Sequence, residues 1–225
     1  MVSGDGGWTL PRPPEPAAGA SAEARHAALA RAGRAEAHDA ALDDLLGPIR
    51  TPESPRARHW GQGAAGERLT AQVLAPLAHA GWAVLHDRRL PGGANLDHLV
   101  IGPGRVWVVD SKAYRPNRIK VLGDGRLWYG RWCLDDVLDV VRWAAERVSD
   151  VLAVAASPVL CVHGARLPRD PLGWDGVVLA SPAALLPALI RPPAGGGGEE
   201  DIDVLVRRAA AAFPPAHGNE PGTAP

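Results

Sequence analysis

Leu96-Asp97-His98-Leu99-Val100-Ile101, then Gly102-Pro103-Gly104, then Arg105-Val106-Trp107-Val108-Val109-Asp110-Ser111-Lys112 is the stretch on which the fold turns. Two β-branched and aromatic runs flank a Gly/Pro reversal signal, which predicts two antiparallel strands. With a two-residue turn at Pro103-Gly104, counting outward sets Val106 against Ile101, Val108 against Leu99 and Asp110 against Asp97. Facing side chains of an antiparallel pair have Cβ atoms about 4.5–5.5 Å apart, so two carboxylates placed there repel. A divalent cation offsets that repulsion, since Mg²⁺ is held by one or two carboxylates plus water and substrate phosphate. Side chains alternate along a strand, which puts Lys112 on the face of Asp110 and His98 on the face opposite Asp97. His98 is therefore expected to be a packed, hydrogen-bonded core histidine rather than a ligand. An Asp-x-Lys triplet alone is a weak signal, and the bland alternative is a surface ion cluster worth about 0–1 kcal/mol.

Outward from the hairpin, Gly63 to Ala80 has a helical pattern with Leu69, Val73 and Leu77 as its apolar stripe, and Pro76 is expected to kink or end it. Trp82 to Leu90 reads as a strand, closed by Pro91-Gly92-Gly93. Downstream, Arg118 to Leu122 and Arg126 to Tyr129 flank Gly123-Asp124-Gly125 and predict a second hairpin. Leu134 to about Ala155 is the longest helical pattern, with Leu134, Val137, Leu138, Val141, Ala144, Ala145, Val148 and Leu152 on one face. Pro158 to Val162 and Gly176 to Ala180 read as short buried strands, and Ser181-Pro182 as the N-cap and first residue of a further helix. Helices interleaved with largely antiparallel strands predict an α/β fold, a mixed sheet flanked by helices.

The ends are simpler in composition. Residues 1–20 are rich in Gly, Pro and Ala and predict a disordered tail; Ser21 to Leu46 predicts an Ala/Arg/Glu-rich helical arm stopped by Gly47-Pro48. The expected division is a tail over 1–20, an arm and linker over 21–58, a compact domain over 59–192, a Gly-rich linker and amphipathic helix over 193–213, and a second tail over 214–225.

Bulk properties narrow the function classes. A net charge of −1 over 225 residues excludes a wholly basic nucleic-acid coat, so any such contact must use a local patch. No apolar run reaches the roughly 18–20 residues of a membrane span, and Met-Val-Ser-Gly-Asp has no signal-peptide character, which predicts a cytoplasmic protein without a membrane partner. Cys133 and Cys161 show no CxxC spacing and are expected to be reduced.

Several spaced elements together carry a resemblance. Gly63-Ala64-Ala65-Gly66-Glu67, Gly81-Trp82, Leu85-His86-Asp87, Asn95 to Pro103 and Val108-Val109-Asp110-Ser111-Lys112 resemble the nuclease-related domain (NERD) family, over about residues 59 to 165. The resemblance implies a restriction-endonuclease-like fold and a nuclease that uses Mg²⁺ or Mn²⁺ to hydrolyse DNA. It implies that Asp97 and Asp110 are metal ligands, that the Ser111 carbonyl is an added ligand, that Lys112 orients or activates the attacking water, and that Glu67 is an accessory acid. Against the wider superfamily, Leu96 replaces a frequent Pro before the first acid, Asp110 replaces a commoner Glu, and no Gln stands out in the long helix. Those departures motivate the alternative of a catalytically silent nucleic-acid-binding or adaptor module on the same fold.

A second signal follows directly. Arg115, Arg118, Lys120, Arg126 and Arg131, with a single acid at Asp124, are interleaved with Tyr114, Trp128, Tyr129 and Trp132. Basic residues among aromatics suit a phosphate backbone and unstacked bases, and Arg115, Arg118, Lys120, Arg126, Trp128 and Arg131 are the candidate contacts. An ordinary solvated hairpin is the other reading. A homodimer, and a protein partner recruited by the N-terminal helix, are left open.

Overall fold

The hairpin forms with the register counted from its sequence. In the computed structural model, which describes residues 55–191 and 201–216 (side chains from Gly63) and the isolated helical positions Ala24 and Ala27, strand β2 (Asn95–Gly102) pairs antiparallel with β3 (Arg105–Val121). Ile101 faces Val106, Leu99 faces Val108 and His98 faces Val109. Gly104 takes a φ of 67° in the turn, a conformation that costs a residue without Cβ little. The expected arm over 21–58, the first tail and the Gly-rich linker lie outside the described residues apart from the positions just named.

β1 (Ala83–Arg89) pairs antiparallel with the other edge of β2, and β6 (Ala156–Arg166) runs parallel beside β3. β8 (Val177–Ala180) and β7 (Leu172–Trp174) complete the order β1-β2-β3-β6-β8-β7, while β4 (Leu127–Tyr129) and β5 (Trp132–Cys133) extend from the far end of β3. The result is a mixed sheet of 8 strands flanked by helices, as expected. The second hairpin also forms, closed by Leu122 and Gly125, with the Asp124 carboxylate accepting the Arg126 N–H at 3.0 Å.

β3 is one strand of 17 residues where the sequence pattern predicts two. Ala113 pairs with His163 and Asn117 with Ala165, so Tyr114, Arg115 and Pro116 bulge out opposite Gly164. The bulge accommodates a proline, which has no N–H for a ladder. Gly164 is required there: its φ is 77°, and a Cβ on it would lie 2.1 Å from the Tyr114 carbonyl oxygen.

Strand alternation sorts the core into layers. On one face, helices α1 (Pro55–Leu74), α2 (Pro76–His79) and α4 (Pro182–Ile190) bury Leu74, Leu77, Leu185 and Leu189 against Val100, Val109, Val159 and Cys161. On the other, α3 (Asp135–Leu152) and α5 (Ile202–Ala212) bury Ala145, Val148, Leu152, Leu205 and Ala209, with Phe213, against Leu99, Ile101, Val106 and Val108. Each such large side chain contributes about 1.5–3 kcal/mol when fully buried. The C-terminal segment then lies along β1: the Arg89 N–H donates to the Pro214 carbonyl at 2.8 Å and the Ala216 N–H to the Asp87 carbonyl at 2.9 Å. That contact occupies backbone groups of an edge strand that would otherwise be unpaired.

Several local expectations need correction. α1 starts at Pro55, before Gly63, and stops at Leu74, because Pro76 cannot donate to the preceding turn. Its buried stripe is Ala64, Thr70 and Leu74, continued by Leu77 in α2, while Leu69 is 50% exposed. Ser181 precedes α4, yet its hydroxyl makes no cap; its N–H donates to Asp170 Oδ1 at 2.9 Å. β5 and β7, of 2 and 3 residues, are too short to show a period.

Candidate metal and nucleic-acid site

The pairing of β2 with β3 ends at His98–Val109, one step before Asp97 and Asp110. There the strands separate: β2 continues beside β1 through Leu96 and Asn95, and β3 continues beside β6. Asp97 Oδ2 accepts the Ser111 N–H at 2.9 Å, so its side chain ties the two strands together where their ladder has ended. Asp110 and Lys112 meet on β3, with Nζ 2.5 Å from Asp110 Oδ2 and 3.5 Å from the Ser111 carbonyl oxygen. Glu67, from α1, is half-buried.

The protonation behaviour of these groups shows that they share one field. Burial pushes the Glu67 carboxyl up to about 8, helped by repulsion from Asp97, Asp87 and Asp110 and opposed by Lys112. Asp97 is pushed up to about 7, first by burial and then by Asp110, against Lys112 and the Ser111 N–H. For Lys112 burial favours the neutral amine, but Asp110 and Asp97 outweigh it and the ammonium is held above its ordinary range. One cation is thus set among several carboxylates, and burial, with repulsion among the acids added to it, makes two of those take up protons near neutrality.

Asp87 is the acid to which the residue reading gave no role. It lies between the pairs His86–His98 and Arg88–Leu96, hence at the register position across from Asp97, and it is only 2% exposed. Its φ of 48° takes it out of the ladder, a conformation that Asp tolerates better than most residues. Counting the β1–β2 register as well as the β2–β3 register would have put Asp87, Asp97 and Asp110 in one row.

The donor chemistry suits a hard divalent cation. Asp97 and Asp110 each have one oxygen engaged and one left, and the Ser111 carbonyl follows directly after Asp110. Among the described residues no three His, Cys, Asp or Glu side chains converge into a ready-made cage. Two carboxylates fit an ion that keeps most of its water, as Mg²⁺ does, better than one needing four protein ligands.

Behind the acids, on the α1 face, runs a buried polar chain. His86 Nδ1 lies 2.8 Å from His98 Nδ1, and His98 Nε2 lies 3.3 Å from Ser111 Oγ. Ser111 Oγ donates to Thr70 Oγ1 at 2.9 Å, and Thr70 Oγ1 lies 2.8 Å from His163 Nε2. His98 is therefore the packed, bonded histidine that its alternation predicts. Burial, then His86 and His163, holds it well below the ordinary imidazole range. With its hydroxyl bound there, Ser111 meets the acids through its backbone, the N–H on Asp97 and the carbonyl as the remaining acceptor.

The basic segment divides. Arg115, Arg118 and Lys120 are exposed, and Arg118 lies opposite Arg166 in the β3–β6 pair. Arg118, Lys120 and Arg166 line a cavity of about 510 Å³ with Ile119, Val121, Leu167 and Pro168 and no acid. Arg126 is instead 3.2 Å from Asp135, and Trp128 Nε1 donates to Asp124 Oδ2 at 3.0 Å, so both are committed within the protein. Arg131 sits 5.0 Å over the ring of Trp132, which is 58% exposed. Arg166 escaped the residue reading because it lies on β6, far along the chain from the basic run.

Residues 62–166 match the model of the nuclease-related domain (NERD) family. The matched segment contains Glu67, Asp87, Asp97, Asp110, Lys112 and the β3–β6 pair, consistent with the restriction-endonuclease-like superfamily. Comparisons with curated proteins and with solved structures returned no match. Among the described residues no helix is long and apolar enough to cross a membrane.

Proposed function

We propose that the protein is a divalent-metal-dependent nuclease that hydrolyses DNA phosphodiester bonds. The observation that carries this reading is the meeting of Asp97, Asp110 and Lys112 where β2 and β3 part, with Asp97 Oδ2 on the Ser111 N–H at 2.9 Å and Lys112 Nζ 2.5 Å from Asp110 Oδ2, in a field where burial and then mutual repulsion raise Asp97 to about 7 and Glu67 to about 8. The free oxygens of Asp97 and Asp110, with the Ser111 carbonyl, are the groups that would hold Mg²⁺ or Mn²⁺. Such an ion supplies a lowered water pKa and charge neutralisation at a phosphoryl oxygen. Lys112 keeps its proton, so its part is to orient the nucleophilic water and to stabilise negative charge growing on the phosphate rather than to act as a base. Glu67, readily protonated near neutrality, is the accessory acid. Arg115, Arg118, Lys120 and Arg131 supply exposed cations for the phosphate backbone.

Purified protein with Mg²⁺ or Mn²⁺ should cut DNA, and Asp110→Ala and Lys112→Ala should each abolish cutting; cleavage indifferent to both changes would overturn the assignment. A catalytically silent binding module is favoured by one specific observation, the 2.5 Å contact by which Lys112 occupies Asp110 Oδ2. Calorimetric titration with Mn²⁺ separates the two, because the silent module shows no binding that depends on Asp97.

A further inference from the structure

Tyr114 follows Asp110 and Lys112 at two-residue spacing on β3, at the point where the strand begins to bulge. Its hydroxyl oxygen is shut off from solvent and has no hydrogen-bond partner. A buried polar atom of this kind is rare in a folded protein and costs stability until something satisfies it.

The side chain is held in place. Its ring packs on Tyr129 with centroids 4.6 Å apart at 46°, and Tyr129 is fixed by donating its own hydroxyl to the Arg115 carbonyl at 3.0 Å and by stacking on Trp132. The backbone is held too, since the Tyr114 carbonyl fills the space that a Cβ on residue 164 would take.

Two residues beyond Lys112 on β3, the side chain packs in the layer that holds Leu138, Leu160 and Val162, and Leu160 and Val162 pair with Asp110 and Lys112, so it lies on the face of the acid site. Tyr114 and Lys112 each alter the other's protonation, and Asp110 acts on both. Burial pushes the phenol up to about 12, so it keeps its proton and remains a donor. Neither neighbour completes it: the hydroxyl makes no hydrogen bond to Lys112 or to Asp110, whose Oδ2 binds that ammonium. What the hydroxyl lacks is an acceptor oxygen beside a fixed positive charge. We propose that Tyr114 is a substrate-binding residue whose hydroxyl donates to a non-bridging oxygen of a nucleic-acid phosphate seated next to Lys112. The inference rests on the nuclease reading and adds to it a second donor that recognises the phosphate.

The test is Tyr114→Phe, which removes the hydroxyl and leaves the ring on Tyr129. DNA affinity is measured by fluorescence anisotropy without divalent cation and again in Ca²⁺, over a series of salt concentrations, and thermal unfolding is followed without DNA. The expected result is an unchanged or raised Tm, affinity weaker by about tenfold in at least one condition, and an unchanged salt slope, because a hydrogen bond to a charged group is lost but no charge is. A lowered Tm would mean that the hydroxyl has a partner inside the protein, and the proposal fails. Unchanged affinity with wild-type protein that does bind DNA overturns this proposal and leaves the nuclease reading standing. Wild-type protein that binds DNA in neither condition removes both.

Discussion

Raising the pH from 6 to 8 should tighten Mn²⁺ binding by about tenfold through Asp97 alone. The carboxyl sits at about 7, so the form able to hold a cation makes up about one tenth of the protein at pH 6 and about nine tenths at pH 8. Glu67, at about 8, adds to the effect to the extent that its charge contributes to the site's field. The same shifts fix the sign of the stability profile without metal. Both acids are raised above their ordinary values of 3.8 and 4.5, so their contribution to stability is fully present below about pH 4. It is lost as pH climbs through about 7 for Asp97 and about 8 for Glu67. Mn²⁺ should then restore at pH 8 much of the Tm lost between pH 5 and pH 8 in a chelator.

Isothermal calorimetry at pH 6, 7 and 8, in buffers of different ionisation enthalpy, reads both the affinity and the protons released. Asp97→Asn should weaken binding and flatten the pH dependence. A wild-type affinity that stays constant from pH 6 to 8, with no proton release, would refute the reasoning: it would mean that the cation does not meet the raised carboxyls.

Other perturbations address other parts of the structure. Gly164→Ala forces a Cβ to 2.1 Å from the Tyr114 carbonyl at a φ of 77°, and should destabilise by at least the roughly 1–2 kcal/mol of the left-handed conformation, read by urea unfolding. Gly102→Ala meets the Trp82 ring at 2.3 Å and should shift tryptophan fluorescence as well as lower Tm. Replacing both Arg118 and Arg166 by Ala should reduce the salt slope of DNA binding by about 2, at about 0.9 per phosphate contact, with little change in Tm because both are exposed. Lys112→Ala should steepen the loss of Tm from pH 5 to pH 8 in chelator, since the cation that holds Asp97 and Glu67 down is gone.

The hairpin was legible because three local signals agree: strand formers on both sides, a Gly/Pro reversal, and an apolar alternation that a one-residue slip would turn inside out. That agreement puts Asp97, Asp110 and Lys112 on one face and His98 on the other. α3 was legible for a similar reason, because its 18 residues carry a single clear stripe. α1 was not. Its faces are built from Ala, Gly and Thr, whose burial is set by close approach to β3 rather than by hydrophobicity; Gly66, where a Cβ would stand 3.4 Å from that of Ala113, marks that approach. The continuity of β3 was hidden by Pro116, a breaker in any local pattern that is harmless inside a bulge whose need for Gly164 comes from a distant strand.

The chemistry of the site comes from the place where backbone pairing gives out. Up to His98–Val109 the ladder satisfies β2 and β3 and leaves their side chains to packing. One residue later the strands part, and the Ser111 N–H is met by a carboxylate instead of a carbonyl. That substitution fixes the Asp97 carboxylate beside the Ser111 backbone, with Asp110 and Lys112 flanking Ser111 in sequence and Asp87 across the register on β1. A carbonyl in the same position would have been neutral and would have extended the sheet; the charge is tolerable only if a cation or a proton answers it. At low pH protons can do so. Near neutrality Lys112 answers part of it, and the remainder is what a divalent cation would answer.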